Sequence, residues 1–186
     1  MGSAIGYKGV SHLALVCDDM ARTVEFYTTV MDMPLIKSIE MPKGMGQHFF
    51  FDIGNGDALA FFCYNDELVR PAAPGVAAPA FSGFSSDVSA NGSMHHVAFT
   101  IDPSEVDACC ERFTKLGVDY VFKAHNRGRP DGRALADLDD DSFSASIYLR
   151  DPDGIMIELC AWMPAWFELG NDVVPMSRNV LTGQGR

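Results

Sequence analysis

The chain repeats one short pattern, and this repeat constrains the fold more than any other feature of its 186 residues. The sequence SHLAL at 11–15 resembles HHVAF at 95–99, so that His12 and His96 are 84 positions apart. In each copy a histidine opens an apolar segment with the alternation of a β-strand, and an acidic turn and an amphipathic helix follow. Repeats of this length usually pack as pseudo-symmetric halves, because neither half can bury its own sheet. We therefore expect two related halves in contact.

Both copies continue with the same order of elements: strand, helix, strand, strand, strand. In the first copy Asp19 can cap a helix from about Met20 to Met31, and in the second a helix over 105–116 ends at Gly117. This order predicts an α+β fold of two βαβββ modules. The apolar segments that we predict as strands lie at 10–16, 35–39, 47–53, 58–64, 94–101, 120–123, 143–149 and 155–161.

Changes in composition suggest where the modules begin and end. Residues 71–93 are rich in Pro, Ala, Gly and Ser, which is typical of a linker loop. We therefore expect a first module at 7–70, a linker at 71–93, a second module at 94–165 and a C-terminal tail at 166–186. The aromatic start of the tail should dock on the second module, and its polar end should be loose.

Charge and cysteine usage exclude several classes of function. The formal net charge is −11, which disfavours nucleic acid as a partner. No apolar segment approaches the roughly 20 residues that span a bilayer, and the first residues do not resemble a signal peptide. The five cysteines include no CxxC pair, so we expect buried free thiols in a reducing compartment, which predicts a cytoplasmic protein.

Two histidines and one glutamate are candidate metal ligands. A pseudo-symmetric arrangement of the modules would bring His12 and His96 together, and Glu158 lies in the apolar segment IMIELC. A carboxylate in such a strand is costly unless it is paired or bound to a metal. Two imidazoles and one carboxylate form the facial triad of non-haem Fe(II) oxygenases, but the same donors suit Mn or Zn. Strand alternation predicts that His95 points away from His96.

The paired modules, the early histidines and the motif Tyr148-x-x-Asp-Pro-Asp-Gly-x-x-x-Glu158 resemble the vicinal oxygen chelate superfamily. That superfamily includes glyoxalase I, type I extradiol dioxygenases, fosfomycin-resistance proteins and bleomycin-binding proteins. The resemblance implies that the curved mixed sheets form a metal-containing cup, and that the protein is a homodimer. It also implies His12, His96 and Glu158 as the metal ligands.

The ligand pattern separates the branches of the superfamily only in part. We align Phe61 with the position of a fourth ligand, which disfavours glyoxalase I, and the presence of three ligands disfavours the bleomycin-binding branch. Extradiol dioxygenases and fosfomycin-resistance enzymes share the remaining pattern. The extradiol pattern usually has two further histidines, and here Asp57 and the acidic residues at 139–141 stand in their places.

The leading hypothesis is therefore an Fe(II)-dependent dioxygenase that cleaves the ring of a catechol-like molecule. A non-redox lyase, isomerase or transferase with the same metal is the alternative enzyme, and a binding protein for a small aromatic ligand is the alternative outside catalysis. Tyr148 and His48 are the candidate catalytic residues, and we expect one of them to act as the acid or base. We expect the long polar loop at 128–141 to fold over the cup as a lid, and we interpret His125 as an exposed loop residue.

Overall fold

The computed structural model describes residues 6, 8–65, 67–69, 91–126, 138–170 and 175. It contains two four-stranded mixed sheets with the same topology, ordered β1-β4-β3-β2 and β5-β8-β7-β6. In each sheet the first and last strands of the module pair in parallel and the other pairs are antiparallel. The predicted α+β fold of two βαβββ modules is confirmed. The strands are β1 (His12–Val16), β2 (Leu35–Glu40), β3 (Gly46–Asp52), β4 (Ala58–Tyr64), β5 (Val97–Thr100), β6 (Tyr120–Asn126), β7 (Ser142–Arg150) and β8 (Met156–Trp162).

One helix follows the first strand of each module, as the sequence predicts. Helix α1 (Met20–Glu25) is capped by Asp19, whose carboxylate accepts the Arg22 N–H, and it continues as a π-helical segment over Phe26–Val30. A 3₁₀ turn at Pro103–Glu105 leads into helix α2 (Val106–Leu116). Gly117 ends α2 in the left-handed conformation, which a glycine adopts at little cost.

The first sheet is covered on one face and open on the other. Tyr27 is fully buried between the sheet and the helix, with its ring 5.4 Å from that of Phe51 and 4.9 Å from that of Phe61. Side chains alternate along a strand, so the residues next to Phe51 and Phe61 in the sequence point to the opposite side of the sheet. We call that side the open face; it carries His12, Ala14, Val16, Lys37, Ile39, His48, Phe50, Asp52, Ala60 and Phe62.

The second sheet is apolar towards α2 and polar on its other side. Ile147, Leu149 and Leu159 pack in one core cluster with Phe113 of the helix. We call the other side the polar face, because strand register places charged and hydroxyl side chains there. It carries Lys123, His125, Ser144, Ser146, Tyr148 and Glu158.

The two modules meet where α1 contacts the turn at 151–154, the Asp-Pro-Asp-Gly segment of the sequence. The Tyr27 hydroxyl donates to Asp151 Oδ2 at 3.2 Å, and Arg22 pairs with Asp153 at 2.8 Å. Arg112 of α2 donates to two carbonyl oxygens at the end of the π-helical segment, at 3.0 and 2.6 Å. The halves of the repeat therefore contact each other, as expected.

The connecting segments are described only in part. Most of the predicted linker and most of the tail lie outside the described residues, so the module bounds stay predictions. Trp166 stacks on Trp162 with ring centroids 3.9 Å apart, which confirms docking of the aromatic start of the tail, although Phe167 is 77% exposed.

All five cysteines are free thiols, but they are less uniformly buried than expected. Cys17, Cys110 and Cys160 are buried, whereas Cys63 and Cys109 are half-buried. Among the described residues, none of the helices is long and apolar enough to cross a membrane.

Candidate metal and substrate site

Glu158 is a buried carboxylate on the polar face of the second sheet. It lies in β8, where its register neighbours are Ala98 of β5 and Tyr148 of β7, and it is only 6% exposed. Burial alone would raise its pKa, but hydrogen bonds from His96, Ser146 and Tyr148 outweigh that effect and hold the pKa of Glu158 below its usual value. The site therefore contains an ionised carboxylate at neutral pH.

His96 lies directly against this carboxylate. Its Nε2 is 2.9 Å from Glu158 Oε2, and its side chain is 32% exposed. His96 precedes β5, whose parallel pairing with β8 brings the histidine and the glutamate to the same place. Two of the three predicted ligands are thus brought together in one chain.

Tyr148 and His125 extend the polar face beyond the pair. The Tyr148 hydroxyl lies 3.1 Å from Nε2 of His125. Burial and the charge of Glu158 raise the pKa of Tyr148, so its hydroxyl keeps its proton and can donate. Burial lowers the pKa of His125, so this imidazole is mainly neutral near pH 7 and can act as a donor or an acceptor.

The interpretation of His125 as an exposed loop residue is wrong. The predicted strand ended at Lys123, whereas β6 continues to Asn126, so His125 is half-buried and points to the polar face. The alternation of Val121, Lys123 and His125 is a signal in the sequence that could have shown this.

Lys123 and two serines complete the polar face. The Lys123 ammonium lies 5.8 Å from the centre of the Tyr148 ring, within the range of a cation–π contact. The hydroxyls of Ser144 and Ser146 are buried and 3.4 Å apart. This surface offers several hydrogen-bond donors and one positive charge beside the carboxylate.

His12 lies on the other sheet, on its open face. Its Nδ1 is 3.2 Å from the Ser11 hydroxyl, and its ring is 5.9 Å from that of Phe50. The chain does not bring His12 to the His96–Glu158 pair: the described residues contain no group of three or more His, Cys, Asp or Glu side chains placed to hold a metal. The three-ligand assignment stays a prediction.

The strand register corrects the alignment of the fourth ligand position. Glu158 pairs with Ala98, two residues after His96, and the residue paired with the corresponding Ala14 is Ala60. Ala60, rather than Phe61, is therefore the counterpart of Glu158, and Phe61 points to the helix side of the sheet. The fourth ligand of glyoxalase I is still missing at this position, because the methyl group of Ala60 cannot bind a metal either.

His48 is on the open face, on the same side of the first sheet as His12. Its ring stacks on Phe62 with centroids 3.6 Å apart, and its Nδ1 lies 3.0 Å from the Phe61 carbonyl oxygen. That carbonyl can only accept, so Nδ1 carries the proton and Nε2 of a neutral ring is free. The catalytic role of His48 stays a prediction.

The prediction that His95 points away from His96 is wrong. Their Nδ1 atoms are 2.7 Å apart, and the rings meet edge to face with centroids 5.0 Å apart. Strand alternation does not apply to this pair because β5 begins only at Val97.

The acidic segment at 139–141 has a structural role where it is described. The Asp139 carboxylate accepts hydrogen bonds from the side chains of Asn126 and Ser142 and from the Asp141 N–H, at 2.6 to 3.1 Å. It therefore stabilises the turn before β7. Most of the predicted lid lies outside the described residues.

A sequence model of the Glyoxalase/Bleomycin resistance protein/Dioxygenase superfamily matches residues 9–159. That span contains both sheets up to the strand that carries Glu158. The chain belongs to this superfamily. The resemblance drawn from the repeat and from the motif between Tyr148 and Glu158 is thereby confirmed.

Solved structures of three other proteins share the fold. A glyoxylase/bleomycin resistance protein/dioxygenase domain from Frankia sp. EAN1pec has a TM-score of 0.57 at 15% identity, covering 86% of this chain and 95% of that one. A variant of the fosfomycin resistance protein FosX from Listeria monocytogenes, complexed with Mn(II) and 1S,2S-dihydroxypropylphosphonic acid, has a TM-score of 0.54 at 21% identity, covering 88% and 99%. Lactoylglutathione lyase from Agrobacterium tumefaciens has a TM-score of 0.50 at 20% identity, covering 84% and 96%.

Proposed function

We propose that the protein is a metal-dependent enzyme whose small, oxygen-rich substrate binds a divalent cation held by His12, His96 and Glu158. The observation that carries this proposal is the 2.9 Å contact between Nε2 of His96 and the buried carboxylate of Glu158. An imidazole nitrogen and a carboxylate oxygen facing each other are donors that suit Mn, Fe(II) or Zn. The Mn(II) bound to FosX supports a divalent cation on this fold.

We propose further that each site is shared between two copies of the chain. His12 is exposed on the open face, away from its expected partners, so a single chain supplies only two of the three ligands. The same face exposes Val16 at 47% and Ile39 at 37%, and apolar side chains of this kind are commonly covered in a dimer. An isologous pair would place the open face of each copy against the polar face of the other.

The two faces together indicate an amphipathic substrate. The polar face would contact the oxygen atoms of the substrate through the Tyr148 hydroxyl and the Lys123 ammonium. Because Lys123 is positive, it favours a substrate with an anionic group. Phe50 and Phe62 on the open face of the partner would contact its apolar part, together with the ring of His48.

The site supports Lewis-acid chemistry best. A bound divalent cation would lower the pKa of two adjacent substrate oxygens and stabilise negative charge on them. Tyr148 would hold a substrate oxygen by donating a hydrogen bond, and neutral His125 behind it could give or take a proton through the Tyr148 hydroxyl. A lyase, isomerase or transferase reaction requires no more than these groups.

Fe(II)-dependent ring cleavage is the second candidate, and His125 is the observation that favours it. The sequence alone had no histidine in the place where the extradiol pattern has one, but the structure places the His125 ring beside Tyr148. The aromatic side chains of the open face also suit a catechol-like ring.

Metal analysis tests the proposal. Protein purified without oxygen should contain about one divalent ion per chain, and Glu158→Gln should retain less than a tenth of it, because a neutral amide is a poor ligand. The control Glu111→Gln, an exposed position on α2, should keep the full content. Equal metal content in both variants would contradict the proposal. Oxygen uptake with a panel of catechols would support ring cleavage. No oxygen uptake by the iron-loaded protein would exclude ring cleavage of these catechols and favour the Lewis-acid reaction.

A further inference from the structure

Two free cysteines lie opposite each other on neighbouring strands of the first sheet, outside the candidate site. Strand β1 pairs in parallel with β4, and the last pair of this ladder is Val16 with Phe62. The N–H of Cys17 donates to the Phe62 carbonyl oxygen at 2.9 Å, which is the next hydrogen bond of a parallel ladder. The register therefore continues by one residue and brings Cys17 opposite Cys63.

The two thiols point to the same side of the sheet and are in contact. Because side chains alternate along a strand, Cys17 and Cys63 point to the helix side, where both pack in the core cluster. Burial first, and then the charge and a hydrogen bond of the neighbouring Cys63 thiol, raise the pKa of Cys17 to about 12. A hydrogen bond between the thiols requires their sulfur atoms to be adjacent.

This placement is compatible with a disulfide bond. Neighbouring strands are about 4.7–4.9 Å apart, and disulfides usually join residues whose Cα atoms are about 4.4–6.8 Å apart. All five cysteines lie in the described part of the chain, and none of the other three is opposite a cysteine in a strand ladder. Cys109 and Cys110 are consecutive in α2, and Cys160 pairs with Thr100 and Ser146.

Exposure distinguishes the two thiols. Cys17 is only 2% exposed, whereas Cys63 is half-buried, so a small solute reaches Cys63 first. The thiolate is the reactive form of a cysteine, and the raised pKa of Cys17 keeps that residue protonated. Cys63 is therefore suited to the first reaction with an oxidant, and Cys17 is suited to the second step, inside the protein.

We propose that Cys17 and Cys63 form a reversible disulfide when the protein meets hydrogen peroxide. The Cys63 thiolate attacks one peroxide oxygen, the O–O bond breaks, and the leaving hydroxide takes up the proton that Cys63 lost, which leaves a sulfenic acid. The Cys17 sulfur then attacks the Cys63 sulfur, the S–O bond breaks, and hydroxide leaves with the Cys17 proton as a second water. Two thiols are oxidised, one peroxide is reduced to two waters, and a thiol reductant reverses the bond by exchange.

The proposed disulfide is independent of the proposed metal site. The pair points to the helix side of the first sheet, whereas His12 and His48 are on the open face. In the reducing compartment that the free thiols suggest, a disulfide that forms only under oxidation is typical of a redox sensor rather than of a structural crosslink. Failure of this inference would leave the proposed function standing.

The test is peptide mapping of the full-length protein after treatment with hydrogen peroxide, followed by unfolding and alkylation without reductant. The reduced protein should take up five alkyl groups, one on each cysteine. The oxidised protein should take up two fewer, and its digest should contain one pair of peptides joined through Cys17 and Cys63. Dithiothreitol should restore full alkylation. The control Cys109→Ser should lose the same two thiols on oxidation.

Two variants test the order of the steps, with dimedone to trap sulfenic acid. Cys17→Ser should accumulate trapped sulfenic acid at Cys63, whereas Cys63→Ser should show about tenfold less at Cys17, because that thiol is buried and protonated. Equal trapping in the two variants would overturn the assigned roles. In the unsubstituted protein, free Cys17 and Cys63 after peroxide treatment, or disulfides only to other cysteines or other chains, would overturn the inference even if Cys17→Ser does not fold.

Discussion

At the scale of single residues, the environment of a side chain decides its chemistry more than its type. Glu158 and Asp151 are both buried carboxylates, but their pKa values shift in opposite directions. Hydrogen-bond donors lie close enough to Glu158 to keep its carboxylate charged. Around Asp151 the cost of burial exceeds the help of its hydrogen bonds, and its pKa rises to about 6. Glu158 is therefore suited to binding a cation, whereas Asp151 stabilises the junction between the modules.

Asp151 should make the protein less stable as the pH rises. Its folded-state pKa of about 6 lies above the ordinary value of 3.8, so the folded protein holds a proton that the unfolded chain has already lost. By linkage, the free energy of unfolding falls as the pH rises from about 4 to about 6, by up to about 3 kcal/mol for a shift of this size, and is then constant. The free energy of unfolding of Asp151→Asn should not show this fall with rising pH.

The measurement is urea unfolding of the metal-free protein at several pH values. The free energy of unfolding of Asp151→Asn should rise relative to that of the unsubstituted protein between about pH 4 and pH 6. Asp141→Asn, an exposed control, should follow the unsubstituted protein. Parallel pH curves for Asp151→Asn and the unsubstituted protein would show that Asp151 does not have the raised pKa.

At the scale of elements, strand register places the site. A shift of one residue would turn His48 and Phe50 from the open face to the helix side. Gly46, the first residue of β3, allows the close approach that fixes this register. Its φ is +136°, and a Cβ built there would lie 2.0 Å from the Cys63 carbonyl oxygen on β4.

Gly46→Ala should therefore destabilise the protein strongly, by about 3 kcal/mol or more, because it combines backbone strain with a clash against backbone. Gly44→Ala is the matched control: its φ is +67°, and its added methyl would have nothing within 4 Å. Its cost should be about 1 kcal/mol, the usual cost of the left-handed conformation. Urea unfolding of both variants gives the comparison, and equal destabilisation would refute the steric argument.

Periodicity predicted the elements well but not the details that depend on long-range contacts. The repeat and the alternation of apolar residues gave both sheets, because most of the strands have one face towards the core, although β2 is exposed along its whole length. The apolar pattern alone ended β6 at Lys123, although the alternation of Val121, Lys123 and His125 extends the strand to Asn126. Nothing in the pattern showed that His95 precedes its strand. The fourth ligand position moved from Phe61 to Ala60 because only the pairing of β1 with β4 defines the register.

At the scale of the whole molecule, the two modules are not equivalent. The polar face of the second sheet has a buried carboxylate and two buried serine hydroxyls, whereas the open face of the first has several aromatic rings and two histidines. The sequence predicted the ligands His12, His96 and Glu158 as one cluster, because pseudo-symmetry was taken to act within one chain. The structure brings only the second and third together, and a second copy is the simplest source of the first.

The most direct test of this account is the metal content of a heterodimer purified through two different tags. A dimer of one His12→Ala chain and one Glu158→Gln chain has one intact site, so it should bind about half as much metal as the unsubstituted dimer. A dimer of one His96→Ala chain and one Glu158→Gln chain should bind none tightly, because both sites then lack a ligand. Equal metal content in the two heterodimers, or full metal content in a monomer, would contradict a site shared between two copies.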